Sequence, residues 1–239
     1  MTTGQEAGQQ GPPKPHIELR EVTKSYLGMA PVLNQVAVRV EKGSFVYLTG
    51  VSGAGKTTVF RLLLGMERPD AGSILFDGTD IARLGPHQRA LHRRRIGMVF
   101  QDYRLLPDET VEENVALPLR VAGHYGAALR RKTRERLELV GLADRMGEQV
   151  AGLSGGEKQL VAIARAMAFD PPVFLADEPT GNLDQTVAGR VLELLRRIHE
   201  RGCTVLVATH DLNLIRAFRA RTLLIKDRRI HEVRLVEGA

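Results

Sequence analysis

The chain has 239 residues and a formal net charge of +6; it is 43% hydrophobic but only 5% aromatic, with no Trp. At roughly 100 to 200 residues per domain this length holds one large domain or two small ones, and the apolar fraction excludes a collagen-like or wholly disordered chain. Cys203 is the single cysteine, so an intrachain disulfide or a cysteine-based metal site is excluded and a reducing cytoplasm fits best.

Residues 1–15 are Gly-, Gln- and Pro-rich with almost nothing apolar, so they read as a flexible tail and lack the apolar core of a signal peptide. From Ile17 onward, β-like runs at 17–19, 32–40 and 45–49 lead into a Gly-rich turn and a helix through Leu64. The middle, about residues 85–165, reads as a mostly helical insertion, with helix candidates at 110–117 and 127–140 broken by Pro118 and Gly123. An all-apolar run at 173–176, a helix at 186–200, a run at 204–208 and a β-like pair at 222–225 and 229–233 follow. Short apolar runs alternating with helices indicate a buried parallel sheet in an α/β fold. No apolar run approaches the ~18 residues of a membrane span.

Gly50-Val51-Ser52-Gly53-Ala54-Gly55-Lys56-Thr57 fits the phosphate-loop pattern, between a strand and a helix as its mechanism requires. The glycines let successive N–H groups curl toward phosphate oxygens, and the helix N-terminus adds partial positive charge. Lys56 would reach the β and γ phosphates, Thr57 would place its hydroxyl on Mg²⁺, and Thr58 continues the binding segment. The run Val173-Phe174-Leu175-Ala176 ends in Asp177 and Glu178. A carboxylate at a strand's C-terminal end sits in the crevice where α/β sheets bind ligands, so Asp177 is the candidate for the Mg²⁺ shell and Glu178 for the base that accepts a proton from water.

Leu153-Ser154-Gly155-Gly156-Glu157 is the most specific feature. Ser154 can cap a helix running through Ala168, while Gly155 and Gly156 leave the first N–H groups bare, giving a second anion site. One nucleotide has little use for two such sites from one chain, which points to a neighbour's phosphate.

With the phosphate loop upstream and the Asp-Glu strand downstream, the chain resembles the ABC-type ATPases, the nucleotide-binding domains of ABC transporters, from Ile17 to about Val233. The resemblance implies a P-loop NTPase core with an N-terminal antiparallel β subdomain and an inserted helical subdomain. It also implies a head-to-tail homodimer that sandwiches two ATPs, with Mg²⁺, between one phosphate loop and the partner's Ser154–Glu157 turn. Tyr26 matches the aromatic that stacks on adenine, and Gln101 the glutamine that contacts Mg²⁺ and senses the membrane partner. Asp184 matches the aspartate of the dimer-crossing loop, and His210 the histidine that contacts the γ-phosphate. One departure is Leu160, where the family usually has a basic residue.

Within the family, the segments 25–28, 100–106, 110–119 and 209–215 look like those of its cell-division ATPases. Lipoprotein-releasing and macrolide-export ATPases share the 179–184 motif and are the alternative. The cell-division resemblance implies an integral membrane partner with an extracytoplasmic domain, an indirect link to cell-wall hydrolases, and a place on the cytoplasmic face of the inner membrane at the division site. Arg-rich patches at 93–95, 130–134 and 228–229 are then expected to face anionic lipid or that partner, and no nucleic acid.

Overall fold

The computed structural model describes residues 15–28, 30–181 and 183–233. The tail expected over residues 1–15 therefore lies, except for Pro15, outside the described residues. The first half runs β1 (Ile17–Lys24), β2 (Leu33–Val40), β3 (Phe45–Thr49), α1 (Lys56–Leu63), β4 (Ala71–Phe76), β5 (Thr79–Asp80), α2 (Pro86–Arg94) and β6 (Ile96–Val99). Next come α3 (Val111–Val121), α4 (Gly126–Val140), α5 (Gly155–Ala166), β7 (Val173–Asp177), α6 (Gln185–Glu200), β8 (Thr204–Ala208), α7 (Leu212–Ala217), β9 (Arg221–Lys226) and β10 (Arg229–Val233).

Two sheets result. The smaller is antiparallel, in the order β2-β1-β4-β5; the larger runs β10-β9-β3-β8-β7-β6 and is parallel from β9 to β6, with β10 added antiparallel. β3, β7 and β8 are buried along their whole length, as strands covered on both faces must be. Their side chains alternate between two cores. Phe45, Tyr47, Phe174, Ala176, Val205 and Val207 join α3, α5 and α6 on one face; Val46, Leu48, Val173, Leu175, Leu206 and Ala208 join α1 and the antiparallel sheet on the other.

Three elements depart from the sequence reading. β6 interrupts the expected helical stretch and pairs with β7; its Gly97 reads as a breaker, yet a Cβ there would lie 2.7 Å from the Ala166 carbonyl oxygen, so the strand can approach α5 only with Gly. β4, absent from the sequence reading, completes β1. α3 runs through Pro118 because Ala116 and Leu119 are buried against Leu129 and Ala168, which offsets the lost backbone hydrogen bond.

Several members of the basic clusters have partners within the fold. Arg130 pairs with Glu112, Arg131 with Glu135 and Arg134 with Glu138, while Arg93 donates to the Leu64 and Gly65 carbonyls and Arg95 pairs with Asp77. No helix among the described residues is long and apolar enough to cross a membrane.

Candidate active site

The C-terminal ends of β3, β7 and β8 share one edge of the large sheet, and the turns leaving them build a cleft of about 550 Å³. Parallel strands deliver their following loops to that edge. The cleft is lined by Tyr26, Ser52, Gly53, Gly55, Lys56, Thr57, Thr58, Gln101, Asp177, Glu178 and His210, with Val32 and Val51. Gly50 and Ala54 form the back of the same loop: Gly50 O accepts from Lys56 Nζ at 2.9 Å, and Ala54 packs on the core beneath. A larger groove of about 700 Å³ lies between β1, β2, β9 and β10, but its Glu18, Arg39, Arg221 and Glu232 are satisfied by ion pairs.

The turn needs glycine at Gly55, the residue before α1. Its φ is 110°, and a Cβ would come 2.9 Å from Val32 Cγ1. Lys56 and Thr57 begin α1, so their N–H groups have no intrahelical acceptor and face the cleft end of the helix.

Thr57 Oγ1 donates to Asp177 Oδ2 at 2.7 Å. Burial pushes the Asp177 carboxyl above the usual Asp range, against the Thr57 hydrogen bond and with a further push from the Glu178 charge. A buried carboxylate beside a hydroxyl, both hard oxygen donors, fits Mg²⁺, which takes one or two carboxylates and completes its octahedron with phosphates and water.

Glu178 sits at φ 47°, a left-handed backbone uncommon outside glycine and typical of functional turns. Its N–H donates to Ala208 O at 2.8 Å, tying the turn to the end of β8. That turn brings Glu178 Oε1 within 3.3 Å of Lys56 Nζ and 2.9 Å of His210 Nδ1. The carboxylate is buried while the imidazole is exposed, so Glu178 is fixed and its histidine neighbour is open to the cleft.

Ser154, Gly155, Gly156, Glu157 and Asp184 do not line this cleft. Ser154 caps α5 in a reciprocal box: its hydroxyl accepts from Glu157 N–H, and its own N–H and hydroxyl donate to Glu157 Oε2 at 2.8 and 2.9 Å. Those bonds hold the Glu157 carboxyl below its usual range. A Cβ on Gly156 would lie 2.5 Å from Val187 Cγ1, so the turn is seated against the start of α6. Asp184 caps α6 by accepting from Thr186 and Val187 N–H, both at 3.0 Å. Leu160 is buried in the core, and Lys158 donates to the Ala151 carbonyl.

Four supporting residues escape the sequence reading. Arg165, on α5, donates to the Arg104 and Tyr103 carbonyls at 2.6 and 2.7 Å and so fixes the turn after Gln101, where both acceptor residues have positive φ. Buried Gln159 donates to Pro179 O at 2.7 Å, linking α5 to the segment after Glu178. Arg145 bridges Glu148 and Glu157. Glu67 accepts from the Tyr26 phenol at 2.8 Å. Apart from the Arg145–Glu148 pair, each contact joins segments well separated in sequence, and no local motif announces it.

The comparisons with known proteins agree with this geometry. Residues 33–181 match the family described as ABC transporter. The chain is 46% identical over 215 residues to the cell division ATP-binding protein FtsE of Escherichia coli (strain K12), covering 90% of this chain and 97% of that protein. It is 41% identical to FtsE of Bacillus subtilis (strain 168), over 88% of this chain and 92% of that protein. Among solved structures it is similar to the ATP-binding cassette MJ0796, captured as a dimer in a post-hydrolysis state with ADP and Pi: TM-score 0.82, 34% identity, 92% of this chain and 100% of that one. With its phosphate loop, its acidic strand end and its capped glycine turn in matching order, the chain belongs to the ABC transporter family, among the ATP-hydrolysing cassettes of FtsE type.

Proposed function

We propose that this chain is the ATPase subunit of a membrane complex of FtsE–FtsX type, coupling ATP binding and hydrolysis to cell-wall hydrolysis at the division site. The observation that carries the proposal is spatial. Lys56, Thr57, Gln101, Asp177, Glu178 and His210 converge on one cleft, whereas the Ser154–Glu157 turn lies outside it. The Gly155 and Gly156 N–H groups, with no partner among the described residues, then serve the phosphate held by a second copy. ATP binding closes the homodimer because the closed form offers the nucleotide two sets of donors, and hydrolysis removes that preference.

In the cleft, Lys56 and the N-terminal N–H groups of α1 bind the β and γ phosphates, and Tyr26 stacks on the base. Thr57, Asp177 and Gln101 would hold Mg²⁺, which would supply positive charge to offset that of the phosphates. Glu178 accepts a proton from the attacking water as its oxygen joins the γ-phosphorus and the bond to ADP breaks. His210 holds the Glu178 carboxylate and faces the γ-phosphate. Asp184, at the cap of α6, faces the second copy. The integral membrane partner resembles FtsX and relays closure across the inner membrane, with this chain on the cytoplasmic face.

Affinity capture of Glu178→Gln protein from detergent-solubilised membranes, with ATP and Mg²⁺, tests the proposal. A single FtsX-like membrane protein together with division or wall-hydrolase components is expected. Recovery of a lipoprotein-releasing or efflux permease would replace the biological role, and nucleic-acid components alone would overturn the membrane assignment.

A further inference from the structure

Tyr26 stands two residues beyond the end of β1, where the strand ladder no longer orients it. Its neighbour Leu27 is fully exposed. The loop after α1 supplies two acids that hold this segment. Asp70 fixes the backbone: Oδ2 accepts from Ser25 N–H at 2.6 Å, Oδ1 is 3.3 Å from Lys24 Nζ, and Asp70 N–H donates to Thr23 O at 2.9 Å. The Ser25 bond, foremost, keeps the Asp70 carboxyl below its usual range.

Glu67 fixes the ring. The Tyr26 phenol donates to Glu67 Oε2 at 2.8 Å and lies 3.1 Å from Thr58 Oγ1. A phenol has one proton, and the carboxylate is the stronger acceptor, so the Thr58 hydroxyl donates to the phenol oxygen. The other Glu67 oxygen lies 3.4 Å from Arg61 NH1, so the carboxylate is itself held. Thr58 and Arg61 both belong to α1, the helix that opens with the phosphate-binding Lys56 and Thr57. One rigid helix thus sets both the phosphate site and the aromatic at the mouth of the cleft. Lys24 Nζ sits over the ring, 5.7 Å from its centroid.

We infer that Glu67 is a positioning residue for base recognition: its carboxylate holds the Tyr26 ring in the pose that stacks on the base of the nucleotide, without touching the nucleotide itself. The inference rests on the reading of Tyr26 as the base-stacking residue. Its signature is selective, because a ring that drifts from its pose weakens binding of a nucleotide but not of a ligand made of phosphates alone.

The test is equilibrium titration of the full chain with Mg-ATP and, in parallel, with inorganic triphosphate. Glu67→Ala and Tyr26→Phe are each expected to weaken ATP roughly three- to tenfold, less than the full worth of one charge-assisted hydrogen bond because the ring itself remains, and to leave triphosphate affinity unchanged. The double variant should be no worse than either single one, and Glu67→Gln, which keeps an acceptor oxygen, should recover most of the loss. Equal losses for ATP and triphosphate in Glu67→Ala would mean damage to α1 and would overturn the inference. If Tyr26→Ala selectively weakens ATP while Glu67→Ala does not, the inference fails and the stacking reading stands. If Tyr26→Ala leaves ATP and triphosphate alike unaffected, the stacking reading fails, and the inference with it.

Discussion

Lys56 Nζ lies 3.3 Å from Glu178 Oε1, which joins the cation of the phosphate loop to the carboxylate at the turn after β7. Both side chains are buried, so this contact, with the Lys56 bond to Gly50 O and the Glu178 contact with His210, compensates two charges in a poorly solvated cleft. Incoming phosphates compete with Glu178 for the lysine. On the proposed roles of these residues, ATP binding is expected to free the carboxylate as it fills the site.

Two substitutions separate these roles. Lys56→Ala should abolish productive ATP binding, since the phosphates lose their buried cation. Glu178→Gln should bind ATP, lose roughly 10² to 10⁴ in turnover, the usual worth of a general base, and accumulate as a closed dimer. Nucleotide titration with size-exclusion chromatography checks both; wild-type turnover in Glu178→Gln would remove that residue from the base role.

Asp177→Asn should stabilise the nucleotide-free protein and abolish Mg²⁺-dependent hydrolysis. Burial raises the folded-state pKa of this carboxyl above its unfolded value, so the folded state binds the proton more tightly. The penalty on stability grows as pH rises through the window between the two values and is complete above the folded one. The amide carries no such penalty. Thermal melts across acidic to neutral pH should show a higher midpoint for Asp177→Asn at neutral pH, converging with the wild type at low pH.

Gly156→Ala should push the Ser154–Glu157 turn off α6, because its new Cβ would fall 2.5 Å from Val187 Cγ1. Overpacking of this kind costs about 1 to 3 kcal/mol. Turnover should fall while ATP binding to the isolated chain persists, and Val187→Ala in the same chain should restore turnover. Steady-state ATPase assays of the single and double variants decide it; loss of ATP binding in Gly156→Ala would place the turn's role elsewhere.

Cys203 should resist alkylation in the folded protein at pH 8. Its thiol is buried, donates to Pro171 O at 3.2 Å, and is pushed up to about 12 by burial, so the thiolate is almost absent. Iodoacetamide labelling followed by mass spectrometry should modify it only after denaturant is added.

The phosphate loop was legible because its chemistry is local: glycine, lysine and threonine at fixed spacing need only a strand before and a helix after. β3, β7 and β8 were legible for a related reason, since strands buried on both faces are apolar at nearly every position. β4 and β6 were not. Ala71–Phe76 begins with small, exposed residues, and Ile96–Val99 is short and carries Gly97, so neither shows a strand's periodicity. Gly97 serves a contact with α5 that sequence spacing does not encode.

By itself, the sequence determined which groups are proposed to do the chemistry: Lys56, Thr57, Asp177 and Glu178 are of the residue types suited to binding phosphate, Mg²⁺ and a proton. Tertiary structure alone decided how those groups are held. The Glu67 carboxylate meets Tyr26 across 41 positions, and Arg165 reaches the Tyr103 and Arg104 carbonyls across 62 and 61. Such partners become neighbours only after sheet order and helix docking have brought their loops together, because hydrogen bonds act over a few ångströms of space and are blind to separation along the chain.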